Sequence, residues 1–413
     1  MWRLESARII GRLMRLVGDV GIAEELAQDA VVAALQQWPN EGIPVNPGGW
    51  LMSTAKHRAV DRLRRNETLQ RKTEQLSTHA RMDQEAAMFS DDEFADVLNE
   101  GGVDDDVLRL VFVACHPVLS PEGRTALTLR LVAGLTTAEI ARAFLTSEST
   151  IAQRMVRAKR TLAAAAVPFQ VPGPDERPAR LTSVLEVVYL IFNEGYTATA
   201  GEEWIRPELA AEALRLGRML SELDDREAEV HGLVALMEIQ ASRLNARLDA
   251  AGVPVPLLEQ NRGRWDRLLI ARGFTALLRA HGLGAPPGPY VTQAAIAACH
   301  ARARTAADTD WSSIIALYDN LQKLTPTPIV ELNRAVAIAM RDGPAAALII
   351  VDRLSTQPTL QRYHLLPAVR ADILAKLDRT TEARAEYQRA ADLTSNERER
   401  QTLLRRAAAY STQ

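Results

Sequence analysis

Hydrophobic positions along the chain recur at helical spacing. In IAEELAQDAVVAALQQW, from Ile22 to Trp38, residues Ile22, Leu26, Ala30, Ala33 and Ala34 fall on one stripe, and Glu24, Glu25, Gln28, Asp29 and Gln36 fall on the opposite side. WLMSTAKHRAVDRLRR repeats the arrangement: Leu51, Ala55, Ala59 and Leu63 face inward, while Lys56, Arg58, Arg62, Arg64 and Arg65 stay in water. Between the two lies PNEGIPVNPGG, Pro39 to Gly49, read as a loop in which Pro47 sits near a first-turn position, where its missing N–H is no loss. With further breaks at Gly18 and after Arg65, these helices form a first block over residues 1–72.

The pattern then fails. Residues 83–106 hold ten acids and no base, with too few apolar side chains for a core of their own, so residues 73–106 read as an acidic linker. Helices return over residues 107–167. Ser120-Pro121-Glu122 opens one of them. Thr136 to Glu139 fits a capping box, in which a threonine oxygen and a glutamate satisfy each other's free amides. A short helix through Phe144 follows, then a tight turn at Leu145 and Thr146, a cap at Ser147 and a longer helix from Glu148 to about Ala165. That is helix-turn-helix spacing. In its second helix Ile151, Met155, Ala158 and Leu162 point inward, leaving Gln153, Arg154, Arg157 and Arg160 outward with Lys159 beside them.

A Pro-rich joint over residues 168–180 leads to a long extension, 181–413, in which helix follows helix with interruptions at Gly252 to Pro256 and Gly282 to Pro289. AMRDGPAAALIIVDRL from Ala339 and AKLDRTTEARAEYQRA from Ala375 superpose with Asp342 on Asp378, an offset of 36 residues. That period is close to the 34 or so of tetratricopeptide-type helix pairs, which stack and offer a concave surface. The fold class expected is all-α.

Composition narrows the function. Aromatics are only 5% of the 413 residues, which favours packed helices. Cys115 and Cys299 lie far apart with no CxxC partner, so neither a disulfide nor a zinc site is expected. No apolar run approaches the roughly 20 residues of a membrane span and the N-terminus lacks a signal-peptide layout, so a soluble, cytoplasmic protein without membrane contact is expected. The net charge of -3 conceals segregation: outside the acidic segment, the first 165 residues carry a net +8. Two basic modules around an acidic connector suit two DNA contacts and one repelled linker. There is no P-loop, HExxH or GxGxxG. His231, His281, His300 and His364 are scattered, and Cys115-His116 reads as a buried thiol. Asp308, Asp310 and Trp311 read as a helix cap and packing. No enzymatic activity, metal or cofactor is expected. The outward arginines and glutamine of the last basic helix have the chemistry to read guanine and adenine edges. Trp38 and Trp50 bracket the Pro/Gly loop, where they either stack on unpaired bases or close a three-helix bundle.

AEELAQDAVVAALQQW followed by NPGGWLMSTAKHRAVDRLRR resembles the paired region-two helices of extracytoplasmic-function sigma factors, the promoter-recognition subunits of bacterial RNA polymerase. LTLRLVAGLTTAEIARAFLTSESTIAQRMVRAKRTL resembles their region-four helix-turn-helix. VLEVVYLIFNEGY, RWDRLLIARG, AAIAACHARA, DTDW and LTPTPIVELNRAVA resemble the subgroup with a tetratricopeptide-like C-terminal domain. The resemblance implies that Glu25, Gln28, Asp29, Val32 and Gln36 dock on the clamp helices of the largest polymerase subunit, and that region four meets the flap of the second-largest. It implies capture of a flipped minus-ten base by the loop, near Asn46 and Trp50, with Arg58, Arg62, Arg64 and Arg65 on the adjacent backbone. Ser149, Thr150, Gln153, Arg154, Arg157, Lys159 and Arg160 would meet the minus-thirty-five element. Ala152 departs from several relatives that are basic there, which implies one contact fewer. The acidic connector resembles the linker that threads the nascent-RNA channel. The extension would regulate activity through an unknown ligand or protein on its repeat surface. Two other readings fit the residues: an operator-binding helix-turn-helix regulator with a repeat-domain sensor, which would bind duplex DNA as a dimer without polymerase, and a helical-repeat scaffold with no salt-dependent DNA affinity.

Overall fold

Helix follows helix through the residues that the computed structural model describes, 2–76, 103–144, 146–198 and 200–410, and the strands among them are two residues long. The all-α class is therefore the class observed. The chain divides into two compact units, Met1–Val187 and Val188–Gln413.

In the first unit, α1 (Trp2–Val17), α2 (Val20–Glu41) and α3 (Pro47–Leu76) pack on one another. Asp19 caps α2, accepting the N–H groups of Gly21 and Ile22. Two boundaries differ from the sequence reading. Helix α2 carries Pro39 inside its last turn and ends only at Gly42, whose positive φ of 86° suits glycine and whose N–H reaches the Trp38 carbonyl at 2.9 Å. The connection is thus Gly42 to Asn46, shorter than Pro39 to Gly49. Helix α3 continues past Arg65 because NETLQRKTEQL contains no glycine or proline and is rich in good helix formers.

The remaining helices of this unit are α4 (Val103–Ala114), α5 (Pro121–Leu127), α6 (Thr137–Ala143) and α7 (Glu148–Ala164), followed by α8 (Arg177–Tyr196), and one π-helical turn, Thr128–Val132, extends α5. The caps read from sequence are present. Ser120 accepts the Gly123 amide at 3.2 Å, Glu139 accepts the Thr136 amide at 2.8 Å while Thr136 Oγ1 accepts the Glu139 amide at 3.2 Å, and Ser147 accepts the Thr150 amide at 3.1 Å. Leu145 and residues 77–102, most of the expected linker, lie outside the described residues.

The end of that linker is corrected by α4, which begins at Val103. Asp106, read as part of a solvated acidic run, is fully buried between α1 and α4. Its carboxylate accepts from Arg15 Nε (3.1 Å) and Nη2 (2.5 Å), from Arg109 Nη1 (2.8 Å) and, more distantly, from Arg12 Nη1 (3.5 Å). An isolated buried carboxylate is costly; three guanidinium groups from two helices make this one tolerable. The helices touch closely here: a Cβ on Gly11 would stand 2.9 Å from the Asp106 carbonyl oxygen. Around the cluster Ile9, Ile10, Leu13, Leu110 and Phe112 are buried.

The second unit contains α9 (Pro207–Leu223), α10 (Ala228–Ala241), α11 (Arg267–Gly282), α12 (Pro289–Arg302), α13 (Trp311–Leu324), α14 (Pro328–Arg341), α15 (Pro344–Ser355), α16 (Leu365–Ala375), α17 (Thr380–Leu393) and α18 (Glu397–Ala409). Helix α10 is apolar nearly all round and almost entirely buried, with α11 and α12 packed against it. From α12 onward each helix packs on the next. The 36-residue offset superposes the turn joining α14 to α15 on the turn joining α16 to α17. Strand β1 (Ala200–Gly201) pairs in parallel with β2 (Ser395–Asn396), and the buried Asn396 amide donates to the carbonyls of Ala198 (3.1 Å) and Glu203 (2.7 Å).

Asp106→Ala strands three arginines around an empty site, an expected loss of about 3–5 kcal/mol from the first unit. Hydrogen exchange of peptides from α1 and α4 measures it, and protection there equal to wild type refutes the role given to Asp106.

Candidate nucleic-acid interface

Helix α7 presents two faces. Ile151, Met155, Ala158 and Leu162 are buried, as their spacing requires, which leaves Gln153, Arg157 and Arg160 exposed and Arg154 half-buried. Among the described residues Arg157 and Arg160 meet no acidic side chain, so their donors are available to an anion. At the start of the helix, Ser147 Oγ lies 2.9 Å from Ser149 Oγ and 2.8 Å from Thr150 Oγ1, a hydroxyl cluster at the positive end of the helix dipole. Val156, nearly half exposed on the same helix, is an apolar contact that the sequence reading did not single out.

Lys159 is turned elsewhere. Its ammonium group binds Glu24 of α2, which is only 5% exposed although its place in the sequence suggested the solvent side. Arg130, carried on the π-helical turn, donates from Nε to the same carboxylate at 2.6 Å and from Nη1 to the Leu135 carbonyl at 3.1 Å. Gln28 donates to it as well. Burial by itself would raise the Glu24 carboxyl; the charges and hydrogen bonds of Lys159 and Arg130 outweigh that and hold it below its ordinary value. No local pattern could have shown this, since both partners lie more than a hundred positions away in sequence.

The residues read as polymerase-facing and those read as DNA-facing meet across α2 and α3. Arg62 pairs with Glu25 at 2.7 Å and Arg58 with Asp29 at 3.4 Å. Such exposed pairs are worth about 0–1 kcal/mol and exchange readily for other partners. Val32 and Gln36 are exposed on α2, and Arg64 is exposed on α3. Arg65 belongs to α3, but its side chain lies outside the described residues.

Asn46 is held in place by the helix it opens, accepting the Gly49 amide on its Oδ1 at 2.9 Å. Trp38 and Trp50 pack edge to face, ring centres 5.4 Å apart and planes at 63°, each half-buried. They join the end of α2 to the start of α3 and leave part of each ring accessible. Beside them Leu35 and Ile43 are mostly exposed and Val45 fully so. Ile43 and Val45 in the connection and Leu35 on α2 are large apolar side chains left in solvent, the kind of surface a partner covers.

Other chemistry is sparse. Cys115 is buried against Thr128 (3.1 Å), and burial pushes its thiol up to about 11. Asp310 caps α13 through Ser313, and Trp311 packs on His300. Among the described residues no group of His, Cys, Asp and Glu has metal-binding geometry, and no helix is long and apolar enough to cross a membrane.

Comparisons with known proteins fall on the same segments. The Sigma-70 region 2 family matches residues 1–68, the Sigma-70 region 4 family matches 109–162, and a family of unknown function, DUF6596, matches 180–281. Over 397 residues the chain is 42% identical to an uncharacterised protein of Rhizobium meliloti, covering 95% of this chain and 91% of that protein. Over 161 residues it is 31% identical to the ECF RNA polymerase sigma factor SigK of Mycobacterium bovis, covering 38% of this chain and 79% of that protein. The SigK of Mycobacterium ulcerans matches at 31% over 159 residues, 38% of this chain and 78% of that protein.

The depressed carboxyl of Glu24 fixes the sign of a pH effect. Its stabilising contribution is complete above the ordinary value of 4.5 and is lost as pH falls through the lower folded-state value. Spin labels at the exposed positions Gln37 and Ala164 should therefore separate on acidification in the wild type, and already at neutral pH in Glu24→Gln. Identical distances in the two proteins at both pH values would contradict the assignment.

Proposed function

Because the chain belongs to the extracytoplasmic-function family of RNA polymerase sigma factors, we propose that its first unit brings the polymerase to promoters by gripping two elements, and that its second unit regulates this. The observation that carries the reading is the outer face of α7, a capped helix whose Arg157 and Arg160 are exposed and meet no acid among the described residues. In the major groove of the minus-thirty-five element, Gln153, Arg157 and Arg160 take base edges, while Arg154 and the hydroxyls of Ser149 and Thr150 take phosphates. Lys159 joins them once it leaves Glu24.

On α2, Glu25, Gln28, Asp29, Val32 and Gln36, together with Leu35, dock on the clamp helices of the largest subunit, and region four meets the flap of the second-largest. Docking exchanges the weak pairs to Arg58 and Arg62, and these two arginines join Arg64 and Arg65 on the backbone of the minus-ten strand. The loop carrying Ile43, Val45 and Asn46 takes the unstacked base beside Trp50. Stacking returns about 1–3 kcal/mol per base, against a few kcal/mol for unstacking it. No covalent step is involved.

Distance supports a second part of the proposal. Two elements about 25 base pairs apart are separated by about 85 Å at roughly 3.4 Å per pair. A compact unit of this length has a radius of gyration of about 16 Å and cannot touch both. The contacts at Glu24 and Asp106 therefore open when the promoter is bound, and residues 77–102 can span at most about 90 Å between the separated halves. The closed arrangement is a resting state that core polymerase competes open at α2.

Reconstitution with core polymerase on a pool of genomic promoter fragments should give promoter-dependent transcripts only when both are present. Failure on every fragment overturns the reading. Arg157→Ala should weaken upstream-element binding by about 1–3 kcal/mol and relax selection at one base pair, with core binding unchanged. An unaltered selection profile would show that the recognition face lies elsewhere.

A further inference from the structure

The second unit contains a cavity of about 620 Å³ walled by α8, α10, α12, α13 and α14, within the size range of small-molecule sites. Aromatic faces dominate the wall: Tyr189, Trp265, His300, Tyr318 and Tyr363, with Ile239 and Ile296 between them. No aspartate or glutamate lines it, and its one permanent charge is Arg243. Arg243 donates from Nη2 to the Tyr196 hydroxyl at 2.6 Å and packs over the rings of Tyr196 (5.7 Å) and Trp265 (5.9 Å), but among the described residues it meets no carboxylate. Two further guanidinium groups stand behind it. Arg247 lies over Tyr196 at 3.6 Å, and Arg262 lies over Trp265 at 4.7 Å while donating to the carbonyls of His300 and Ala303. The region is cationic: Asp308 acts on Arg262, but no carboxylate among the described residues stands against Arg243.

Two buried polar atoms of the wall have no hydrogen-bond partner among the described residues. Trp265 is 4% exposed and its Nε1–H has no acceptor; His300 Nδ1 is likewise buried and unmatched. Burial, then the charges of Arg243 and Arg262, push His300 down to about 4, so it is neutral and leaves Arg243 as the cation of the site. Buried polar atoms without partners are costly, and two of them beside Arg243 in one aromatic chamber form a site that a ligand completes.

We propose that this cavity binds a small aromatic carboxylate, its ring system between the tyrosine and tryptophan faces and its carboxylate on Arg243. A planar carboxylate matches the two-pronged donor geometry of a guanidinium, and one cavity-facing guanidinium suits one negative charge. Binding stands on the cavity alone; only its consequence for transcription rests on the function proposed for the first unit.

The probe is 2-naphthoate, titrated calorimetrically into the full chain, with neutral 2-naphthamide as its isostere. The expected result is one saturable site for naphthoate and at least ten-fold weaker binding of the amide. Arg243→Gln should weaken naphthoate at least ten-fold. Ala297→Phe, which fills the cavity and leaves every arginine contact in place, should do the same even if the arginine variant misfolds. No saturable naphthoate binding by the folded wild type, equal affinity for the amide, or unchanged affinity in Ala297→Phe each overturns the proposal. Since neither polymerase nor promoter is present, this test can fail while reconstituted transcription succeeds, and the reverse.

Discussion

Two buried carboxylates, each held by cations from a different helix, define the first unit. Glu24 joins α2 to α7 and the π-helical turn; Asp106 joins α4 to α1. Removing a carboxylate from water is tolerable only while its partners stay in place, so each contact is strong when complete and costly when half-made. Interactions of this kind make poor glue but good latches, because a competing charge can exchange partners with them where an apolar interface would have to be exposed to water.

The placement of the latches gives them meaning. Glu24 sits one residue before Glu25 and four before Gln28, on the helix whose outer acids pair loosely with Arg58 and Arg62. A partner that grips the outside of α2 therefore acts on the same helix that restrains Lys159 on the inside. The π-helical turn contributes directly, since the wider turn at Thr128–Val132 carries Arg130 to Glu24.

Much of this was legible in the sequence because it is local. The inner stripe of α7, the capping box at Thr136 to Glu139 and the caps at Ser120 and Ser147 depend on residues three or four apart, and the structure has them where the spacing put them. Local rules misjudged the ends of helices. Pro39 suggested a loop but is tolerated in a last turn, and the charge of NETLQRKTEQL hid its helical preference. They failed altogether for Glu24, Asp106 and Lys159, whose environments are made by residues remote in sequence. Charge pattern placed all three in solvent, and tertiary pairing placed them on or around buried carboxylates. Exposed Ile43 and Val45 escaped notice for the opposite reason: two apolar residues in a connection carry no periodicity.

The parallel bridge between Ala200–Gly201 and Ser395–Asn396 bears on how the second unit comes apart. A stack of helical hairpins ordinarily frays from its free end, one repeat at a time, because each repeat leans only on its neighbours. Here the last hairpin is stitched back to the opening turn by Asn396, and Arg398 adds bonds to the carbonyls of Glu202 and Gly252. These bonds tie the final helices to the turn after α8, so unzipping one end must break contacts at the other, and the unit is expected to melt as a single cooperative body.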